Sequence, residues 1–225
     1  SGLFRFKERY IYVNEAEIEK LRKVFTDDKP LNAYQLFQTA LSEEYEGAPV
    51  SLTGEVREMM AELTSVDEVS LPTGLVATLR PYQHRGFSWM YRNSRIGFGS
   101  IIADDMGLGK TLQVIAILLK LKEEQAINKK QKALVVVPTG LLTNWEAEIA
   151  KFAPSLTTHI YHGTARDMKL FNADVMLTTY GVARGDSELL RKQRWQVMVI
   201  DEAQNIKNHE AGQSKAIKTI PATIR

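Results

Sequence analysis

The chain of 225 residues contains no cysteine. That excludes disulfides, thiolate zinc sites and cysteine nucleophiles together, and it fits a reducing compartment. Histidine is scarce. His84, His159, His162 and His209 fall in no HxxxH-type spacing, so no structural metal site is expected. No apolar run is long enough to span a bilayer, since even VIAILLKL is interrupted by Lys120. The first residues, SGLFRFKERY, lack the apolar core of a signal peptide, and Ser1-Gly2 has the form of a cloning remnant. No internal repeat or low-complexity segment is present. The default expectation is a soluble intracellular protein with no membrane partner.

What is present is ordinary globular composition, 44% hydrophobic and 25% charged. The net charge of +2 hides an asymmetry. Residues 1–75 carry 8 Lys/Arg against 14 Asp/Glu, and the remainder carries 21 against 13. A surface for an acidic partner therefore belongs to the C-terminal two thirds.

The first seventy residues read as one β-arm and three short helices. RFKERYIYV alternates as a strand or hairpin arm. A first helix follows, with Asn14 as N-cap and Ile18, Leu21 and Phe25 on one stripe. Ala33, Leu36, Phe37, Ala40 and Leu41 mark a second, and Val56, Met59, Met60 and Leu63 a third. TSVDEVSLPTG (64–74) reads as a linker, which places a boundary near residue 70. Beyond it, apolar runs alternate with helical stretches. The expected strands are GSIIA (99–103), ALVVV (133–137), LTTHIY (156–161), DVMLTTY (174–180) and WQVMVI (195–200). The expected helices are Thr111 to Glu124, Leu142 to Phe152, and Leu189 to Arg194 extended backwards. This alternation predicts a doubly wound α/β domain with a mainly parallel sheet.

Two stretches carry chemistry. DDMGLGKT lies between the first expected strand and an apolar helix. Glycines there let backbone N–H groups converge, and the helix N-terminus adds positive potential, which suits a phosphate. Lys110 is the charge for the outer phosphates and Thr111 the hydroxyl for Mg²⁺. Gly107 and Gly109 match the end of the pattern GxxxxGK[ST], but Asp104 stands where its first glycine belongs. VMVIDEAQ (197–204) ends an apolar strand in two carboxylates, at the strand end where α/β sheets bind ligands. Asp201 is placed to hold Mg²⁺, and Glu202 to take a proton from an attacking water.

In this order the motifs resemble the first RecA-like lobe of a SWI/SNF-type DNA-dependent ATPase, within the superfamily-two helicase-like motors. The resemblance covers about Leu71 to Arg225. LRPYQHRGFSWM (79–90) looks like the segment before motif I, and IIADDMGLGKTLQVIAIL like motif I. LVVVPTGLLTNWEAEIAKF (134–152) resembles motif Ia, and YHGTAR (161–166) the next segment. LTTYG (177–181) resembles motif Ib, and VIDEAQNIKN (199–208) motif II.

The resemblance implies a P-loop lobe over 71–225, preceded by an acidic, mainly helical accessory segment over 1–70. It implies ATP and Mg²⁺ as cofactors. Gln83 would recognise adenine, and Asp105, Met106, Gly107, Leu108, Gly109, Lys110 and Thr111 would cradle the nucleotide. Lys110, Asp201 and Glu202 would be catalytic, and Gln204 would hydrogen-bond across the cleft. Duplex DNA is the implied partner, gripped through Thr139, Gly140, Leu141 and Leu142 of motif Ia and Thr178, Thr179 and Tyr180 of motif Ib. The basic stretches NKKQK (128–132) and RKQR (191–194) would add salt-sensitive affinity. A second RecA-like lobe of the same parent chain would supply the arginine finger, and the acidic segment is a candidate docking module for a protein.

Two departures stand out. Motif II reads DEAQ where many relatives read DEAH. The family's motif III strand and second lobe follow IPATIR in relatives, so the expectation is a lobe cut before motif III is complete, with Ala222 to Arg225 beginning that strand between those of Lys110 and Asp201. Such a lobe would be weakly active by itself. DEAQ and the acidic segment lean toward a prokaryotic, nucleoid-associated cytoplasmic member; a eukaryotic one would be nuclear. A strand-separating helicase lobe and a nucleotide-independent nucleic-acid-binding scaffold are the alternatives.

Overall fold

The computed structural model describes residues 2–6, 9–13, 33–42, 44–45, 47–65, 67–105, 107–206 and 212–225. Its contacts divide the chain into two compact units, Ser1–Arg57 and Glu58–Arg225. The expected helix over 14–25 lies outside the described residues, as does Met106.

In the first unit, β1 (Gly2–Phe6) and β2 (Arg9–Val13) pair antiparallel, with Gly2 opposite Val13 and Phe6 opposite Arg9. The expected β-arm is thus a hairpin. Helix α1 (Ala33–Ser42) buries Ala40, a member of its apolar stripe, together with Thr39. A two-residue ladder, β3 (Glu44–Tyr45) with β4 (Ala48–Pro49), turns through Gly47 in the left-handed region. Helix α2 (Gly54–Thr64) runs across the division between the units.

The second unit is built on one parallel sheet. Its strands are β5 (Lys132–Val137), β6 (Thr158–Tyr161), β7 (Val175–Thr179), β8 (Trp195–Ile200) and β9 (Ala222–Ile224). They lie in the order β6-β7-β5-β8-β9. Central β5 is buried along its whole length, which is why it reads as a continuous apolar run. Its side chains alternate between two cores. Val135 and Val137 join Val175, Leu177 and Val197 on one face, against helices α3 (Pro81–Arg95), α4 (Lys110–Glu123) and α5 (Leu142–Phe152). Leu134 and Val136 join Met176 and Met198 on the other, with Leu190, Ile217 and Ile220. Those last three come from α7 (Ser187–Leu190), α8 (Gly212–Lys218) and the turn after α8; α6 (Tyr180–Gly185) directly follows β7. Each buried branched residue contributes roughly 1.5–3 kcal/mol of burial, so the doubly covered sheet is the main source of cohesion. Among the described residues no helix is long and apolar enough to cross a membrane.

Three sequence expectations need correction. GSIIA is not a regular strand: residues 99–105 lack ladder pairing and Ile101 is 84% exposed. The stretch still borders the sheet, because Ser100 N–H donates to the Arg225 carbonyl at 2.9 Å. The segment 64–74 is not a free linker. Val69 N–H donates to Ser88 Oγ at 2.9 Å, Gly74 N–H to the Glu123 carboxylate at 2.8 Å, and, just beyond, Val76 N–H to the Phe152 carbonyl at 2.8 Å. The boundary expected near residue 70 thus falls within a stretch tied to the second unit. The helix expected through Arg194 ends at Leu190, since the chain must turn to enter β8 at Trp195.

β9 occupies the position expected of Ala222 to Arg225. It pairs with β8 on one side and meets Ser100 on the other, so the Asp201 strand and the segment leading to Lys110 are not direct neighbours.

Candidate functional site

Three loops emerge around the sheet and α4. The first joins residues 99–105 to α4. Gly107 and Gly109 adopt φ of +83° and +73°, the left-handed region that side-chain-bearing residues avoid. A Cβ on Gly107 would meet open space, whereas one on Gly109 would come within 2.3 Å of Gln83 Nε2. The loop is therefore open on one side and backed by Gln83 on the other. Lys110 opens α4, and its ammonium donates to the carbonyls of Asp104 and Asp105 at 2.7 and 2.9 Å. The cation is folded over acceptors of its own loop. Thr111, half-buried, is the next residue of the helix.

Helix α3 braces this loop. Gln83 is buried, takes the Arg80 N–H on Oε1 at 2.9 Å, and donates from Nε2 to the Leu108 carbonyl at 3.0 Å. Tyr82 adds its hydroxyl to the same carbonyl at 3.2 Å. Gln83 thus holds the glycine loop from behind, with one N–H and one lone pair left for a ligand.

The second loop follows β8. Asp201 N–H continues the sheet to the Val136 carbonyl at 2.9 Å. Its Oδ1 accepts the Glu202 N–H at 2.9 Å, and its Oδ2 accepts the Trp145 indole N–H at 2.8 Å. Glu202 has φ of +54°, a left-handed conformation costing about 1–2 kcal/mol for a residue with a Cβ. Its carbonyl accepts from Asn205 Nδ2 at 2.9 Å and from the Tyr180 hydroxyl at 3.2 Å, bonds that offset the strain. The Tyr180 hydroxyl also donates to the Asp201 carbonyl. Burial, reinforced by the Asp201 charge, pushes the Tyr180 phenol up to about 12. Gln204, exposed, donates its amide to the Glu202 carboxylate within the same motif.

The third region combines the ends of β5 and β7. Thr139–Leu141 form a single 3₁₀ turn after Pro138, with Thr139 and Gly140 exposed and Leu141 half-buried. Leu142 is buried in the core. Thr178 is fully enclosed, its Oγ1 donating to the Tyr161 carbonyl at 2.9 Å. Thr179 caps α6 by accepting the Val182 N–H. The side chains of Leu142, Thr178, Thr179 and Tyr180 are therefore buried in this structure, engaged in the core or in local hydrogen bonds. Thr139 and Gly140 remain on the surface.

Sequence reasoning missed Trp145, Tyr82 and Asn205. Periodicity could place Trp145 only as a core residue, since a helical stripe says nothing about where an indole N–H points. Among the described residues no cluster of His, Cys, Asp and Glu has the form of a multi-ligand metal site. By chemistry, the Asp201 carboxylate and the Thr111 hydroxyl are oxygen donors of the kind a hard divalent cation takes.

Comparison with known proteins is consistent across sequence and structure. A family model described as SNF2-related domain matches residues 82–225. YwqA of Bacillus subtilis, a protein named as an ATP-dependent helicase/translocase, is 38% identical over 185 residues, 78% of this chain and 20% of that protein. Helicase SWR1 of Debaryomyces hansenii is 37% identical over 171 residues, 72% of this chain and 10% of that protein. The solved SWI2/SNF2 ATPase core of Sulfolobus solfataricus in complex with dsDNA is similar at a TM-score of 0.65 and 42% identity, covering 71% of this chain and 33% of that one. The chain spans a fifth or less of these two relatives and a third of the solved core.

Proposed function

This chain belongs to the SNF2-related ATPase family, and from that premise we propose that it is the ATP-binding lobe of a DNA-dependent motor. The observation that carries the reading is Lys110, whose ammonium rests on the loop carbonyls beside two left-handed glycines. Phosphate oxygens replace those carbonyls as its partners when nucleotide binds. Thr111 and Asp201 would hold Mg²⁺, which would supply charge neutralisation on the phosphates. Glu202, on its strained backbone, aims a carboxylate to accept a proton from water, and Gln204 steadies that carboxylate. Gln83 holds the loop's shape and offers its remaining amide valences to the base.

Duplex DNA is the proposed partner. It is supported by the similarity to a core solved with dsDNA and by the exposed Thr139–Gly140 turn. Contacts there read phosphate and not base identity, as a motor that steps along any sequence requires. A second RecA-like lobe of the parent chain supplies the arginine finger, whose lack costs on the order of 10³–10⁵ in rate in related NTPases. The deciding measurement is ATP hydrolysis with and without duplex DNA, on a chain extended through the second lobe, beside its Lys110→Ala variant. DNA stimulation that disappears in the variant is the expected result. Turnover indifferent to DNA, or nucleotide binding that survives Lys110→Ala, would sink the reading.

A further inference from the structure

Trp145 has no part in the site as proposed so far. It is 2% exposed and lies in the first turn of α5, directly after the Thr139–Leu141 turn. A buried indole N–H needs an acceptor, and a backbone carbonyl is enough. Trp195 takes that course, donating to the Leu190 carbonyl at 2.7 Å. Trp145 instead reaches 56 positions along the chain to Asp201 Oδ2, at 2.8 Å. With Glu202 N–H on Oδ1 at 2.9 Å, each carboxylate oxygen has one directed donor. The carboxylate plane is then fixed, and each oxygen keeps lone-pair capacity for another partner. Asp201 O is held in addition by the Tyr180 hydroxyl, so side chain and main chain are both clamped by aromatic donors.

We propose that Trp145 is a positioning residue for Asp201: its indole N–H sets the carboxylate for the divalent cation and ties the Thr139–Leu141 turn to that carboxylate through one rigid helical turn. The inference rests on the reading of Asp201 as the metal carboxylate. Outer donors of this kind typically set metal affinity by 10- to 100-fold. A displacement of the turn moves the start of α5, and with it the group that orients Asp201.

The test uses the chain as it stands. Trp145→Phe keeps an aromatic ring in the enclosed site and removes only the donor. Binding of a non-hydrolysable ATP analogue is measured by calorimetry in EDTA, then as a Mg²⁺ titration at saturating analogue. The expected result is unchanged affinity in EDTA and about 10-fold weaker Mg²⁺ dependence in the variant. A merely structural role would lower the melting temperature and the EDTA affinity together and leave the Mg²⁺ dependence untouched; that result overturns the proposal.

A second measurement needs no variant. The chain has three tryptophans, and with Mn²⁺ in place of Mg²⁺ the Trp145 indole N–H resonance should broaden. An unaffected Trp145 signal also overturns the proposal. Wild-type chain that binds no nucleotide under any condition would instead overturn the functional reading, and this inference with it.

Discussion

Two residues show how closely backbone conformation and site are linked. Gly109 is left-handed and stands against Gln83, so Gly109→Ala adds about 1–2 kcal/mol of backbone strain and displaces the amide that braces the loop. Urea unfolding should give a lower midpoint, with nucleotide affinity reduced as well; a variant as stable as wild type would show that the loop relaxes freely. Tyr180→Phe removes the hydroxyl from the carbonyls of Asp201 and Glu202, at a cost of about 0.5–1.5 kcal/mol. The effect depends on pH in a definite direction. The phenol titrates at about 12 in the fold against an ordinary 10.0, so its contribution is whole below pH 10 and is lost as pH rises toward 12. The stability difference between wild type and variant should therefore shrink over that window and stay flat below it. The identity of Lys110, Thr111, Asp201 and Glu202 as site candidates was legible in the sequence, because glycine-loop and strand-end carboxylate patterns are local. The inward role of Tyr180 was not, because nothing in LTTYG distinguishes a hydroxyl aimed at solvent from one aimed at another strand's loop.

Among the elements, the segment before α3 is the least expected. Residues 64–74 have linker composition, yet Glu123 at the end of α4 accepts from Thr73 N–H at 3.1 Å and Gly74 N–H at 2.8 Å. Burial pushes the Glu123 carboxyl up, but the bonds from Gly74 and Thr73 outweigh it and hold the group below its ordinary value. A depressed carboxylate stabilises above its unfolded titration range and stops doing so as pH falls through the folded one. Amide exchange at Thr73 and Gly74 should thus be protected at neutral pH and lose protection in acid, and Glu123→Gln should lower it at neutral pH. Equal protection in wild type and variant would mean that other contacts pin the segment. Composition could not reveal this, since the partner lies about fifty residues away. GSIIA likewise has an apolar run that suits a strand, but a strand needs a pairing partner, which local sequence does not name; here Ser100 N–H meets the Arg225 carbonyl.

At the scale of the whole molecule, the uneven distribution of charge governs the expected behaviour. The basic excess after residue 75 predicts that duplex DNA binding by the chain weakens steeply between low and high salt. A salt-independent affinity, measured by fluorescence anisotropy, would remove the electrostatic part of the proposal. The chain alone is expected to hydrolyse ATP slowly, and rapid turnover would show that no second lobe is needed. The sequence by itself determined the α/β class and the positions of the phosphate-loop and strand-end motifs along the chain. Those properties follow from apolar periodicity and local glycine and carboxylate patterns, which act over a few residues. Only the tertiary structure decided that Trp145 and Tyr180 converge on Asp201 and that Thr178 and Thr179 are enclosed. Those outcomes depend on which distant donor meets which acceptor once the sheet is packed, and hydrogen-bond partners separated by tens of residues leave no trace in local pattern.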